Sequence, residues 1–242
     1  ILEDGRTLND CQIGRDTTLH LVILKAVRRE VLTAEDVEDI IETRGAEVIL
    51  DLSDASSITA LPESIGTLEA LKTLKLTSCT SLVALPHAIG QLGALKHLDL
   101  CSCASLVTLP CAIGQLGALE HLNLTDCTSL VELPDDEIGG LKALKELHLG
   151  HCSSLAMLPD AIGKLGALEV FNLIYCPRIA ELPDTIGDLR ELKRINLEYC
   201  SSLRELPDTI GGLTALECLW LSGCSSLAAL PDAICELEQL WY

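Results

Sequence analysis

The sequence predicts an α/β solenoid, with one parallel sheet on a concave side and short 3₁₀ turns on the convex side. Three observations carry the prediction. Eight Leu-Pro pairs place proline at 62, 86, 110, 134, 159, 183, 207 and 231, a period of 24 residues interrupted once by 25. The long interval comes from "LPDDEIGGL", which carries an extra residue between Pro134 and Ile138. A fixed period of this length marks stacked supersecondary units that bury their cores against one another. Next, six of the eight periods hold a Leu-x-Leu pair, and Phe171 or Ile195 replaces its first leucine in the other two; in "LKHLDLCSC", Leu98 and Leu100 alternate with His97, Asp99 and Cys101. That is the pattern of a strand with one buried face. Last, Ile113, Leu116 and Leu119 follow at intervals of three with Gly114 and Gly117 between them. This spacing favours 3₁₀ turns over a full α-helix.

The elements of one repeat follow in order. A short strand from each copy joins a parallel sheet with neighbours ~4.8 Å apart. After the strand, Leu106 and Leu109 turn inward and Pro110 stops further pairing. The return limb then carries the 3₁₀ turn. In the later copies an aspartate follows the proline (Asp160, Asp184, Asp208, Asp232), and the sequence predicts that it caps this turn.

A cysteine closes seven copies: Cys79, Cys103, Cys127, Cys152, Cys176, Cys200 and Cys224. It stands where the chain bends after the strand, so it is expected to point inward and stack on its equivalents above and below. Cysteine is small, readily buried and a weak S–H donor, which suits a tight column. At roughly 5 Å per repeat the Cα spacing would admit disulfides. A parallel column offers poor torsion for them, however, and no C-x-x-C is matched by a histidine pair to suggest structural zinc. The thiols are read as wall.

The shared phrase is L-P-x-x-I-G-x-L-x-A-L-x-x-L-x-L-x-x-C-x-S-L. Over residues ~48–242 it resembles the leucine-rich repeat family, and its L-P-x-x-I-G-x-L and C-x-S-L parts resemble the intracellular plant class. That class occurs in nucleotide-binding immune receptors and in small Ras-group leucine-rich repeat proteins. The resemblance implies a horseshoe fold and a role in protein recognition. There is no G-x-x-x-x-G-K-[ST], so the nucleotide-binding part of such a receptor is not in this sequence.

The organisation reads as three parts: residues 1–24, 25–47 and a solenoid of about eight 24-residue repeats over 48–242. The first, "ILEDGRTLNDCQIGRDTTLHLVIL", resembles the C-terminal third of ubiquitin in L-E-D-G-R-T-L and T-L-H-L-V. The family's first hairpin and main helix are missing, as is its diglycine tail. His20 and Val22 fall near that family's partner-binding surface. The strand "TLHLVIL" lacks its usual neighbours and offers an edge for pairing with another chain, which would give a homodimer. Residues 25–47 contain "LTAEDVEDIIETRG", read as one helix with Thr33 as cap, Asp36 opposite it, and Val37, Ile40 and Ile41 as an apolar stripe ending before Gly45. This helix is expected to cover the first repeat, whose ladder position holds Ala55. At the other end, either Trp241 and Tyr242 act as a makeshift cap or the parent protein continues; the sequence reads better as a fragment.

Composition narrows the function. The net charge of −19 argues against sequence-independent binding to nucleic acid or anionic lipid and fits basic protein partners. Twelve cysteines in 242 residues are too few for a disulfide-scaffolded secreted domain. The polar start does not read as a secretory signal, and no apolar run reaches the ~18 residues of a membrane span. The expectation is a reduced, cytoplasmic protein that needs no cofactor.

Side chains between the strand leucines face outward on the concave sheet. His97, His121, His148 and His151 lie there with Asp99, Asp126 and Cys101, residue types that suit metal binding or nucleophilic chemistry. An open sheet excludes water poorly and offers no oxyanion donors, and neither a catalytic residue nor a metal ligand is assigned. All of the aromatic residues (one Phe, three Tyr, two Trp) lie beyond residue 170. Tyr, Trp and Arg dominate binding hot spots. The expected protein-binding face is therefore Asn172, Ile174, Tyr175, Arg194, Asn196, Glu198, Tyr199 and Trp220. The alternatives are a structural or autoinhibitory scaffold presenting a neighbouring domain, and a ubiquitin-pathway adaptor.

Overall fold

The computed structural model describes residues 34–43 and 48–241. The ubiquitin-like segment 1–24, its proposed homodimer edge, Thr33, Gly45 and Tyr242 lie outside the described residues. Helix α1 (Ala34–Thr43) is followed by eight strands: β1 Ile49–Asp51, β2 Thr73–Lys75, β3 His97–Asp99, β4 His121–Asn123, β5 Glu146–His148, β6 Val170–Asn172, β7 Arg194–Asn196 and β8 Cys218–Trp220. They form one parallel sheet in chain order. Register is strict, with Leu74 on Leu98, Leu98 on Leu122 and Leu147 on Phe171. A slip of one residue would turn every buried leucine to solvent, so the alternation fixes this pairing.

Between strands the chain makes 3₁₀ turns, among them Glu63–Thr67, Cys111–Gln115, Asp160–Lys164 and Asp208–Gly212. The expected spacing of three is what they show: Ile113, Leu116 and Leu119 are all fully buried. The expected aspartate caps do not form. The residue preceding the turn is the proline, in extended conformation, and Asp160, Asp184, Asp208 and Asp232 are the first residues of their turns, with no side-chain capping bond.

Glycine in the I-G pair has a packing reason. A Cβ on Gly163 would fall inside the van der Waals shell of the Thr185 carbonyl oxygen and 2.7 Å from Thr185 Cβ. The convex turns therefore stack at backbone contact, which only a residue without a side chain permits.

Leucine, isoleucine and cysteine from every repeat merge into one continuous core. Val37 and Ile41 of α1 are buried in that same core, and α1 packs on the Glu63–Thr67 turn at the first repeat. At the last repeat, Leu219, Leu221 and Leu227 are only partly buried. Trp241 is 80% exposed, so it does not form the makeshift cap.

The cysteine column is built as expected for a structural wall, with one refinement. Cys79, Cys103, Cys127, Cys152, Cys176 and Cys200 are fully buried, and Cys224 is half-buried. Each thiol donates to a backbone carbonyl of the preceding repeat: Cys127 Sγ to Leu100 O at 3.2 Å, Cys176 Sγ to Leu149 O at 3.1 Å. The Leu100 oxygen also accepts the Cys103 N–H at 3.1 Å, so both its lone pairs are used. Burial pushes the Cys79 and Cys200 thiols up to about 11 and that of Cys176 up to about 12. All of the described cysteines are free thiols.

Candidate protein-binding face

The bend after each strand is set by two devices. First, the last strand residue, when it is Asp or Asn, turns its side chain back onto the chain. Asp99 Oδ1 accepts the Cys101 N–H at 3.0 Å, Asn172 Oδ1 the Ile174 N–H at 3.0 Å, and Asn196 Oδ1 the Glu198 N–H at 2.9 Å. These are Asx-type turns. Asn172 and Asn196, both expected recognition residues, thus commit their carbonyl oxygens to the bend and present only their amide groups outward. The Asn196 amide reaches Glu198 Oε2 at 3.4 Å.

Second, the residue just before the cysteine position is left-handed. Asp54, Ser78, Ser102, Asp126, His151, Tyr175, Tyr199 and Gly223 all have positive φ, from 55° at Tyr175 to 78° at Gly223. The N–H of this residue continues the parallel ladder, as in Tyr175 N–H to Glu198 O and Tyr199 N–H to Ser222 O. Side chains here stand in a single file along the lip of the concave face.

In the C-terminal half that file is aromatic. The His151 and Tyr175 rings stack at 4.8 Å and 15°, and Tyr175 and Tyr199 at 4.3 Å and 10°. Gly223 ends the row, because a Cβ there would lie 2.5 Å from Tyr199 Cδ1. Tyr175, Tyr199 and Trp220 are 42%, 45% and 40% exposed, respectively. Burial and the neighbouring Tyr199 phenol hold the Tyr175 pKa above its ordinary value. Ile174 is half-buried beside the row and rests over Gly150, and Arg194 is exposed on β7 with no ion pair among the described residues.

Three other histidines, His97, His121 and His148, gather elsewhere on the sheet. His97 and His121 stack at 4.5 Å and 11°. Glu146 Oε2 lies 3.2 Å from His121 Nδ1 and 3.3 Å from His148 Nε2. Burial and the adjacent His121 lower the His97 pKa. Burial opposes ionisation of Glu146, but the hydrogen bonds from His148 and His121 together outweigh it and hold the carboxyl below its usual range. Among the described residues, no group of three or more His, Cys, Asp or Glu is placed to hold a metal ion. Along the sheet flank, Glu120 bridges Lys96 at 2.5 Å and Lys145 at 2.8 Å. Hydrogen bonds from these two lysines, Lys145 first, lower the Glu120 pKa to about 2.

Two features escaped the sequence reading. The left-handed file was one: Asp, Ser and Gly before the cysteine were a usable signal, since these residues tolerate positive φ. Exposed thiols on the convex side were the other. Cys111 and Cys235 are open to solvent there, and a hydrogen bond to Glu137 raises the pKa of Cys111.

One parallel strand and one 3₁₀ turn per 24 residues, with an apolar seam between them, define a leucine-rich repeat solenoid. A family model described as a leucine-rich repeat region matches residues 48–150 and 122–242, and the chain belongs to that family. Such domains typically serve as protein–protein interaction modules. No curated protein matches the chain. Among solved structures, the leucine-rich repeat domain of the type III effector XopL is 29% identical, with a TM-score of 0.62, covering 84% of this chain and 78% of that one. The plant peptide hormone receptor RGFR1, in complex with RGF2, is 25% identical with a TM-score of 0.44 over 81% of this chain and 41% of the receptor chain. The chain thus spans less than half of that receptor chain. Among the described residues no helix is long and apolar enough to cross a membrane.

Proposed function

We propose that this chain is a non-catalytic module that binds a protein partner through the C-terminal half of its concave face. The binding residues are Ile174, Tyr175, Arg194, Glu198, Tyr199 and Trp220, with Asn172 and Asn196 fixing the bends between them and contributing their amides. One observation carries the reading: Tyr175 and Tyr199 occupy a left-handed backbone position. The same position elsewhere holds Asp, Ser, His or Gly, most of which tolerate it. A bulky residue there costs about 1–2 kcal/mol, and stacking returns about 0.5–1.5 kcal/mol per ring pair. Two tyrosines gain the fold little there, while they place rigid, half-exposed rings beside Arg194 and Trp220, which is the make-up of a hot spot. The setting we infer is immune-type or signalling recognition in a plant-type cell, on the resemblance of L-P-x-x-I-G-x-L and C-x-S-L to the intracellular plant class.

The test is capture of partners from native extract by the wild-type chain and by the triple variant Tyr175→Ala, Tyr199→Ala, Trp220→Ala. Loss of a specific protein partner in the triple variant, with the fold intact by circular dichroism, is the expected result. A partner retained at full yield would place the binding face elsewhere.

A further inference from the structure

We infer that the His151–Tyr175–Tyr199 row is read edge-on by an α-helix of the partner, laid along the solenoid axis. This rests on the proposed binding face and adds to it the kind of partner. The ring faces are closed. Tyr175 has His151 on one side and Tyr199 on the other, and the far face of Tyr199 lies against Gly223. A cation over a ring, a stacked sugar or a stacked base needs an open face, and the two tyrosines present none. What they offer is edges and polar tips: two phenol hydroxyls beside an imidazole, one group per repeat.

The period selects the partner's backbone. Successive rings lie 4.8 and 4.3 Å apart. Side chains on one face of a helix recur every ~5–6 Å at i, i+3 and i+4, whereas a strand repeats on one face only every ~6.6–6.8 Å. Over three rungs the difference grows. Helix positions i and i+7 are ~10.5 Å apart along the axis and strand positions i and i+4 are ~13 Å apart. The stack, from its two cited spacings, is little more than ~9 Å long, so three helical side chains can each meet a rung and three strand side chains cannot. Charge completes the description. Asp126 precedes His151 in the file and Glu198 flanks Tyr199, so lysine and glutamine on the helix suit the row. Its apolar flank meets Ile174 and Trp220.

Two peptides of about 18 residues and one composition test this, each long enough to span the patch at 1.5 Å per residue. One is an alanine-rich helix with Lys and Gln at i, i+3, i+4 and i+7 and its two prolines at the ends. In the other the prolines are moved to the centre. Titration followed by the tyrosine ring NMR signals should give the helical peptide at least about tenfold tighter binding. The pair Tyr175→Phe, Tyr199→Phe keeps the stack and should weaken it by about thirtyfold, the worth of two net hydrogen bonds. Equal affinity of the two peptides, no binding of the helical one, or an unchanged affinity in the Phe pair would each overturn the inference. If the Phe pair holds the native partner at full affinity while the triple Ala variant loses it, the binding face stands and the edge-on helix falls. If the triple Ala variant keeps the partner, the face itself is wrong.

Discussion

Replacing Gly163 and Gly166 by alanine, one at a time, tests the packing of the convex turns. Both glycines belong to one repeat, and neither has positive φ. Alanine therefore suits either backbone and restricts the unfolded chain equally, which is worth about 0.4–1 kcal/mol of stability at each site. The surroundings differ. Nothing lies within 4 Å of a Cβ on Gly166, whereas a Cβ on Gly163 meets the Thr185 carbonyl and lies 2.7 Å from Thr185 Cβ. Overpacking costs about 1–3 kcal/mol, toward the upper part when the obstacle is backbone that cannot rotate away. Because the unfolded-state effect is common to both variants, the difference between them is the steric cost alone, about 2–3 kcal/mol. Urea unfolding followed by far-ultraviolet circular dichroism measures it. With a slope of about 2–3 kcal/mol/M the two midpoints separate by about 1 M, Gly166→Ala at or above wild type and Gly163→Ala below it. Variants within about 0.5 kcal/mol of each other would show that the turns do not stack at backbone contact, and the account of the I-G glycine would be wrong.

Tyr199→Asn should leave stability within about 1 kcal/mol of wild type, since relief of the left-handed backbone offsets the lost stacking. Partner binding should nevertheless fall, and urea unfolding beside a binding titration separates the two effects. In native thiol labelling, the exposed Cys111 and Cys235 should react first, then the half-buried Cys101, Cys218 and Cys224, while Cys103, Cys127 and Cys152 wait for unfolding; mass spectrometry of timed samples reads the order. Stability should also decline in alkali. The folded thiols of Cys79, Cys200 and Cys176 titrate near 11, 11 and 12 against an ordinary 9.0. Their contribution is complete below pH ~9 and is lost as pH rises through 11–12. Thermal melts from pH 8 to 11 should show that decline, and Cys79→Ala, Cys200→Ala should soften it.

The repeat was legible in the sequence because burial enforces it. Each Leu of the strand and each Ile of the turn occupies one fixed place in a shared core, so the 24-residue phase encodes strand order, register and the side of every turn. The cysteine column was legible for the same reason. What stayed hidden was backbone geometry supplied by polar residues. Asn172 and Asn196 look like free recognition groups in a column that also contains Lys75, His148 and Trp220, yet their oxygens hold the bend. Asp160 and its equivalents look like caps, but the extended proline already occupies that position. The two tyrosines stand out in the sequence by their hot-spot chemistry. Their strained backbone became visible only from the dihedral angles.

The contact between convex glycines and the carbonyls of the next turn also governs how the arch can deform. Straightening the solenoid would press its outer row together while the strands stay one hydrogen bond apart on the inner side. Backbone already touches backbone along that outer row, so the row acts as a mechanical stop. Bending in the opposite sense only opens those contacts and meets a softer resistance from the leucine core. The stiffness is thus one-sided, as in a chain of links that curls but does not lie flat. A partner on the concave face can draw the two arms inward around itself, but it cannot push them apart.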